Sequence, residues 1–255
     1  MRSYAIGDIH GHLDKLEAAH ELVARDRREC GDAAAPVVHV GDLVDRGPDA
    51  RGVIDFLMAG QEAGANWVVL KGNHDRMFSG FMRDPDSHDP GLRAELHWVD
   101  ARLGGGATLA SYGVMEAGER LLLDLHEEAS VKVPRAHLAY LDGLMTHYLR
   151  GEILFVHAGV RPGINLHDQA ENDLLWIRKD FLEDTRDHGA LVVHGHTPVD
   201  RIEHRGNRLN IDTGAGYGRP ISAVVIEGRK VWQLTDRGRE RVKPPKVPKP
   251  GKSPK

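Results

Sequence analysis

Cysteine is almost absent from this chain, because Cys30 is the only one among 255 residues. A single cysteine excludes an internal disulfide, a cysteine-rich zinc site and a paired-cysteine redox centre. This usage is typical of a reducing compartment, and we expect a cytoplasmic location.

Long apolar segments are missing as well. The residues before the first polar motif, MRSYAI, contain no apolar core long enough for a secretory signal, and no run of about 18 apolar residues occurs later in the chain. We therefore expect no membrane partner.

Acidic residues outnumber basic residues outside the carboxyl-terminal end. The formal net charge is −4, and residues 243–255 (KPPKVPKPGKSPK) carry five lysines and no acid, which leaves −9 on the remainder. The negative charge of residues 1–242 repels the phosphates of nucleic acid, so we expect no nucleic-acid partner. The alternation of lysine and proline in residues 243–255 predicts a disordered tail. The alternative role of this tail is a weak contact with an acidic partner. Residues 1–242 are predicted to form a single catalytic domain.

Short apolar runs predict buried strands that alternate with helices. The first three runs are SYAI, PVVHV and NWVVL, and helical patterns over residues 13–29 and 48–63 separate them. Pro48 would suit the first turn of the second helix. This order predicts an α/β fold with a largely parallel sheet. The later runs LNI, ISAVVI and KVWQL, with glycine-rich turns between them, indicate antiparallel strands.

Polar motifs directly follow five of the predicted strands. They are GDIHG (7–11), GDLVDRG (41–47), GNHD (72–75), HAG (157–159) and GHT (195–197). Open α/β sheets bind ligands at the carboxyl ends of their strands. One such motif alone usually marks a capped turn, but five in succession predict one functional cluster.

The side chains in these motifs are those that bind divalent metal ions. Carboxylate, amide and imidazole groups suit manganese, iron, zinc or magnesium. Asp8 and His10, two residues apart, can reach one ion from the same face of an extended segment, and Asp42 can bridge to a second ion. The spacing leaves His194 open as an alternative to His196. The predicted ligands are Asp8, His10 and Asp42 at one ion, and Asp42, Asn73, His157 and His196 at the other.

A pair of cations predicts phosphate chemistry. Two neighbouring divalent ions lower the pKa of a shared water, and the resulting hydroxide is the predicted nucleophile. Arg46 and Arg178 are predicted contacts to substrate phosphate, since a guanidinium matches phosphate oxygens. From spacing alone, an ordinary surface arginine is the alternative for Arg178. Asn73 is a further predicted substrate contact. His74 is predicted to protonate the leaving oxygen, with Asp45 holding its other ring nitrogen.

With these motifs assembled, the chain resembles the phosphoprotein phosphatase (PPP) family of binuclear metallophosphoesterases. The resemblance spans residues 7–197, and LNIDTGAGY (209–217) is similar to the family's late strand and loop. It implies a metallophosphoesterase fold, a β-sandwich of two mixed sheets flanked by helices. The long section between GNHD and HAG predicts a helical and loop cap or lid over residues 76–150, with a flap that has no part in substrate choice as the alternative. The resemblance also implies two metal ions, often manganese, direct attack by a metal-bridging hydroxide, and the ligand, proton-donor and arginine assignments made above.

The leading functional prediction is a metal-dependent phosphomonoesterase. The predicted enzyme is a serine/threonine protein phosphatase, and a dual-specificity protein phosphatase is a variant of this prediction. Its substrate would be a phosphorylated protein or a small phosphate ester. Asp45 in GDLVDRG resembles the protein-phosphatase branch of the family, whereas GNHD resembles the symmetrical bis(5'-nucleosyl)-tetraphosphatases. A tetraphosphatase or other phosphoanhydride hydrolase is therefore the alternative. A phosphate-binding scaffold without activity is a more distant one, because binding alone needs no proton donor such as His74.

Overall fold

The computed structural model describes residues 1–245. The predicted tail, residues 243–255, lies outside the described residues except for its first three positions. Two β-sheets face each other across a hydrophobic core, and helices cover the outer side of each sheet. The prediction of two mixed sheets flanked by helices is confirmed.

Residues 1–245 form eleven strands in two sheets. The strands are β1 (Arg2–Ile6), β2 (Val37–His39), β3 (Trp67–Val69), β4 (His147–Arg150), β5 (Ile153–Val156), β6 (Leu191–His194), β7 (Glu203–His204), β8 (Arg208–Asn210), β9 (Ala223–Glu227), β10 (Lys230–Thr235) and β11 (Gly238–Val242). The first sheet has the order β11-β10-β9-β1-β2-β3 and the second β4-β5-β6-β8-β7. The pairs β1–β2, β2–β3, β5–β6 and β6–β8 are parallel, and β9, β10 and β11 join antiparallel. The predicted antiparallel pairing is confirmed for ISAVVI and KVWQL but is wrong in part for LNI, because β8 pairs parallel with β6 and antiparallel only with the two-residue β7. Antiparallel pairs occur in both sheets, so neither sheet is largely parallel as predicted.

Eight α-helices occur in the same described range. They are α1 (Leu13–Cys30), α2 (Ala50–Glu62), α3 (Asn73–Arg83), α4 (Gly105–Ser111), α5 (Leu122–Lys132), α6 (Arg135–Asp142), α7 (Glu171–Trp176) and α8 (Lys179–Leu182), and a short 3-10 helix follows at Ala215–Tyr217. Within residues 1–245, none of the helices has the length and apolar character needed to cross a bilayer.

The start of α2 differs from the prediction. Asp49 is the N-cap residue, and its carboxylate accepts the N–H of Gly52 at 2.8 Å. A side-chain cap of this kind satisfies a backbone donor that the first turn leaves free. Pro48 therefore precedes the helix and does not occupy its first turn.

Burial on both faces explains why the central strands read as continuous apolar runs. Side chains alternate along β1, so Tyr4 and Ile6 face the helices while Ala5 faces the second sheet. Phe155 and Val193 of the second sheet enter the same inter-sheet core. A fully buried side chain of the size of Ile6, Phe155 or Val193 contributes roughly 1.5–3 kcal/mol, and the framework holds the strand ends in place.

The segment predicted as a cap, residues 76–150, packs against the helical face of the first sheet. Phe78 stacks on Trp98 with ring centroids 5.2 Å apart, and both belong to the core that also contains Tyr4. Gly104, with φ of 88°, caps the start of α4. That this segment acts as a lid within one domain of residues 1–242 stays a prediction.

Candidate metal centre

The loops after β1, β2 and β6 contain non-glycine residues in left-handed backbone conformations. Six non-glycine residues of the described chain have positive φ, and five are predicted site residues: His10 (48°), Asp42 (53°), Asp45 (72°), Arg46 (70°) and His196 (65°). Such conformations cost of order 1–3 kcal/mol each and tend to occur at functional sites. Surrounding contacts must therefore hold these loops.

Hydrogen bonds join the loops that follow β1, β2 and β3. The N–H of His10 donates to the carbonyl of Asp42 at 2.7 Å. The Asp75 carboxylate accepts the N–H of Leu43 at 2.9 Å and that of Gly72 at 2.7 Å. The final residue of GNHD thus connects two neighbouring loops.

A first group of potential ligands consists of His10, Asp42 and His74, whose ligand atoms lie within 4.8 Å of one another. His10 Nε2 is 3.4 Å from Asp42 Oδ2. His10 Nδ1 lies 3.0 Å from the carbonyl of Val44, and a carbonyl only accepts, so Nδ1 carries the proton. The lone pair of Nε2 is therefore available to a cation.

A second group consists of Asp42, His157 and His196. His157 Nδ1 donates to the carbonyl of Val40 at 2.9 Å, and its Nε2 lies 3.3 Å from Asp42 Oδ1. Asn73 Oδ1 lies 2.9 Å from both His157 Nε2 and His196 Nδ1. Asp42 therefore presents one carboxylate oxygen to each group.

Asp8 belongs to neither group. β1 ends at Ile6, and His10 has a positive φ, so the expectation of an extended segment from Asp8 to His10 is wrong. Asp8 Oδ2 accepts the N–H of His196 at 2.9 Å, whereas its buried Oδ1 has no hydrogen-bond partner in the described part of the chain. A Cβ at Gly195 would overlap this oxygen. A buried carboxylate oxygen without a donor is expected to face a cation.

Two acidic groups of the site, Asp8 and Asp212, are buried close to other carboxylates. Burial, followed by the neighbouring carboxylates of Asp212 and Asp42, raises the pKa of Asp8 well above its usual value. Burial, together with Asp42, raises the pKa of Asp212 to about 6. Burial lowers the pKa of the imidazoles of His10, His157 and His196. Neutral imidazoles beside crowded carboxylates fit two divalent cations.

Two arginines border these ligand groups. Arg46 Nη1 contacts His10 Nε2, and its Nη2 lies 3.2 Å from His74 Nε2. Arg178 Nε donates to His196 Nε2 at 2.9 Å. One guanidinium thus lies at the edge of each group, where it can reach phosphate oxygens.

The structure brings His74 and Asp45 together. His74 Nδ1 lies 2.6 Å from Asp45 Oδ2, and Asp45 is fully buried. The Asp45 carboxylate also accepts the indole N–H of Trp98 at 2.9 Å and the hydroxyl of Thr108 at 2.7 Å. Trp98 and Thr108 lie more than fifty positions further along the chain, and no sequence pattern links them to Asp45. Neither residue was predicted from the sequence to belong to the site.

Asp212 was also missed, although a signal for it exists. It follows β8 in Asn-Ile-Asp-Thr-Gly, as the other motifs follow their strands. It is 3% exposed, and its carboxylate accepts the N–H of Gly214 at 2.8 Å. An acid directly after a predicted strand could have been added to the cluster.

His194, the alternative to His196, is not brought to the site. Its ring packs edge-on against Phe181 at 5.1 Å, and burial lowers its pKa to about 3. β6 ends at His194 and His196 has a φ of 65°, so the side chains do not share one strand face as the spacing suggested. All ten predicted site residues lie in one connected set: Asp8, His10, Asp42, Asp45, Arg46, Asn73, His74, His157, Arg178 and His196.

Comparison with protein families gives one match over most of the chain. The family model described as calcineurin-like phosphoesterase matches residues 1–219. All ten predicted site residues lie inside that range.

Curated relatives resemble the chain over most of its length. The asymmetrical bis(5'-nucleosyl)-tetraphosphatase PrpE of Geobacillus thermodenitrificans is 26% identical over 250 residues, which covers 86% of this chain and 88% of that protein. The symmetrical bis(5'-nucleosyl)-tetraphosphatase of Methylobacillus flagellatus is 22% identical over 287 residues, covering 92% and 95%. These relatives match the predicted alternative better than they match a protein phosphatase.

A solved structure shares the fold. The cold-active protein tyrosine phosphatase of a psychrophilic Shewanella aligns with a TM-score of 0.63 at 15% sequence identity, covering 95% of this chain and 80% of the other. At this identity the likeness concerns the fold alone. The arrangement of two mixed sheets flanked by helices is therefore shared with a known phosphatase.

Proposed function

Because the chain belongs to the calcineurin-like phosphoesterase family, we propose that it hydrolyses a phosphoanhydride bond of dinucleoside polyphosphates such as diadenosine tetraphosphate. Family membership makes the chain a phosphoric ester hydrolase of metallophosphoesterase fold. The choice of substrate depends on one observation: relatives similar over most of both chains are bis(5'-nucleosyl)-tetraphosphatases. They favour the alternative over the protein phosphatase that the sequence analysis placed first.

The family uses a binuclear metal centre, and the donor set described above fits one. In our proposal one cation would be held by Asp8, His10 and Asp42, and the other by Asp42, Asn73, His157 and His196. When bound, such ions lower the pKa of water and withdraw charge from phosphoryl oxygens. Manganese is the proposed metal, with iron, zinc and magnesium as the other candidates that suit these ligands.

The chain's own residues bind and orient the phosphates. Arg46 and Arg178 lie at different ligand groups, 3.2 Å from His74 Nε2 and 2.9 Å from His196 Nε2. Two guanidiniums in separate places can contact more than one phosphate of a polyphosphate chain. This arrangement supports a substrate longer than a single phosphate group.

His74 is the proposed proton donor to the leaving oxygen. Its Nδ1 is held by buried Asp45, so its Nε2 is the nitrogen that faces Arg46 and the ligand groups. With Nδ1 held by the Asp45 carboxylate, Nε2 is the ring nitrogen positioned to pass a proton to the leaving oxygen.

The same pair supports a second candidate function. A phosphomonoester of serine or threonine leaves as an alkoxide, which needs a proton more than the phosphate leaving group of an anhydride does. The close contact of His74 with Asp45 therefore also suits phosphomonoester hydrolysis. A phosphoprotein substrate remains the runner-up on this observation.

A parallel assay tests the two candidates. We expect kcat/KM for diadenosine tetraphosphate to exceed that for phosphoserine and phosphothreonine peptides by about tenfold or more, a difference of about 1.4 kcal/mol. Activity should require added manganese and disappear with a chelator. Chromatography of the products separates symmetrical cleavage to two ADP from asymmetrical cleavage to ATP and AMP. A tenfold preference for the phosphopeptides would overturn the proposal.

We expect Thr108→Val to act through Asp45. The variant removes the hydroxyl that donates to Asp45 Oδ1 at 2.7 Å, and a hydrogen bond to a charged group is worth about 1.5–3 kcal/mol. kcat should fall roughly tenfold or more on a phenyl phosphate with a poor leaving group, and less on p-nitrophenyl phosphate.

Thr108→Ser keeps the hydroxyl and should retain most of the activity. The measurement is the slope of log kcat against leaving-group pKa for a series of aryl phosphates. An equal loss on every substrate, accompanied by a lower melting temperature, would assign Thr108 to folding alone.

A further inference from the structure

We infer that a cleft beside Arg46 binds the nucleoside part of the substrate, with Tyr217 as the stacking surface. This inference rests on the proposed function, because it names where a dinucleoside polyphosphate would place a base. The cleft, called here the Tyr217 cleft, has a volume of about 550 Å³, and its lining includes Arg46, Arg102, Gly106, Ala117, Gly216 and Tyr217. This volume lies within the roughly 300–1,000 Å³ of small-molecule sites.

The cleft borders the metal-ligand groups. Gly216 lies between the two, and a Cβ added there would come within 2.8 Å of both Arg46 Cδ and His10 Cδ2. Only a glycine backbone therefore separates the His10 ring from the cleft. A phosphate chain held at the ligand groups would pass Arg46 and deliver its nucleoside into this space.

Small residues create the space on the opposite wall. A Cβ at Gly106 would lie 3.3 Å from the Cβ of Ala117, so larger side chains at either position would fill the cleft. The N–H of Arg46 donates to the carbonyl of Gly104 at 3.2 Å, which fixes this wall relative to the phosphate-binding arginine. The glycine-rich run of the predicted cap thus forms one side of the site.

Tyr217 supplies an aromatic surface suited to a base. Tyr217 is 63% exposed, and the Arg46 guanidinium lies 5.0 Å from the centroid of its ring. Bases stack on exposed aromatic rings because every base has an apolar π-face. Arg46 can therefore contact a phosphate while it also orients the ring on which the base stacks.

The charge of the cleft suits an anionic ligand. The lining includes two arginines and no acidic residue among the described residues. Arg102 at the rim is paired with Asp100 at 2.7 Å, so Arg46 is the lining guanidinium best placed to contact a phosphate. The ligand implied is a nucleotide whose phosphates run toward the metal-ligand groups.

The test compares ATP with inorganic tripolyphosphate, which has the same phosphate chain without a nucleoside. Their inhibition constants against p-nitrophenyl phosphate hydrolysis and their dissociation constants by calorimetry are measured on the manganese-loaded full chain. We expect ATP to bind about tenfold more tightly than tripolyphosphate, which corresponds to 1.4 kcal/mol. Equal affinity of the two in the wild type would overturn the inference.

Variants separate the cleft from the phosphate site. Tyr217→Ala and Ala117→Leu should each weaken ATP binding about tenfold and leave tripolyphosphate binding unchanged, whereas Tyr217→Phe keeps the ring and should bind normally. Leu121→Ala, which removes an exposed apolar side chain of the same segment, serves as the control. Equal weakening of both ligands would show that Tyr217 acts only through Arg46 and would overturn the inference.

Failure of the proposed function and failure of the cleft assignment give different experimental results. If the chain does not hydrolyse diadenosine tetraphosphate but still prefers ATP to tripolyphosphate in a Tyr217-dependent way, the cleft assignment stands and the substrate proposal is wrong. If it hydrolyses the dinucleotide while Tyr217→Ala changes neither affinity nor KM, the substrate proposal stands and the cleft assignment is wrong.

Discussion

Asp42→Asn should lose both metal ions together with nearly all activity. Asp42 is the only residue present in both ligand groups found in residues 1–245, with Oδ2 3.4 Å from His10 Nε2 and Oδ1 3.3 Å from His157 Nε2. An asparagine carries no charge and offers one oxygen, so it cannot bridge two cations. We expect kcat/KM to fall by roughly a thousandfold or more, about 4 kcal/mol.

The fold should survive this substitution. Asp42 Oδ1 accepts the N–H of His74 at 3.0 Å, and an asparagine oxygen can accept the same bond. Metal content is measured by elemental analysis after manganese loading, and the rise in melting temperature on adding manganese is measured in parallel. The wild type should bind two ions per chain and gain stability, and the variant should do neither.

Asp14→Asn makes the same chemical change at an exposed carboxylate in the first turn of α1 and should leave metal content and activity unchanged. Full occupancy by two ions in Asp42→Asn, whatever its activity, would show that Asp42 does not bridge them.

His74→Asn should keep both metal ions but lose most turnover on poor leaving groups. Its Nδ1 is 2.6 Å from Asp45 Oδ2, and positioned proton donors typically contribute 10²–10⁴-fold. We expect kcat to fall by roughly that factor on phenyl phosphate. The fall should be smaller on p-nitrophenyl phosphate, whose leaving group needs less protonation.

This experiment also decides between two roles for His74, because its ligand atom lies within 4.8 Å of those of His10 and Asp42. Loss of one metal ion from His74→Asn would make His74 a ligand of the first group. Unchanged turnover on phenyl phosphate would eliminate it as the proton donor. His126→Asn, at a half-buried histidine whose ring contacts the carbonyl of Met82, is the matched control and should behave like the wild type.

The candidate site was largely predictable because its residues follow strand ends directly. Asp42 and Asn73 come within a few residues of β2 and β3, which are parallel neighbours, so their proximity depends on local order and on a general rule of sheet topology. The parallel order was itself readable from apolar runs that alternate with helical patterns. The misjudged details were local conformations: the left-handed φ of His10 and of His196, which spacing arguments for extended chain do not anticipate.

Substrate choice could not be predicted from the same motifs, because they carry chemistry that is common to several phosphate substrates. The relatives named as tetraphosphatases moved the proposal from phosphoproteins to dinucleoside polyphosphates. The Tyr217 cleft depends on residues around positions 100–118 and 216–217 that the fold brings together. No short pattern in the sequence joins those two regions.

The sequence by itself determined the fold class, the strand-end cluster and the identity of its ligand-type side chains, since each of these depends on short-range pattern and residue chemistry. Only the tertiary structure decided that Trp98 and Thr108 hold Asp45, that His196 and not His194 reaches the site, and that Gly216 packs against His10 and Arg46. These outcomes depend on how distant segments pack against one another. Packing is set by the shape and burial of the whole core, which local patterns do not encode.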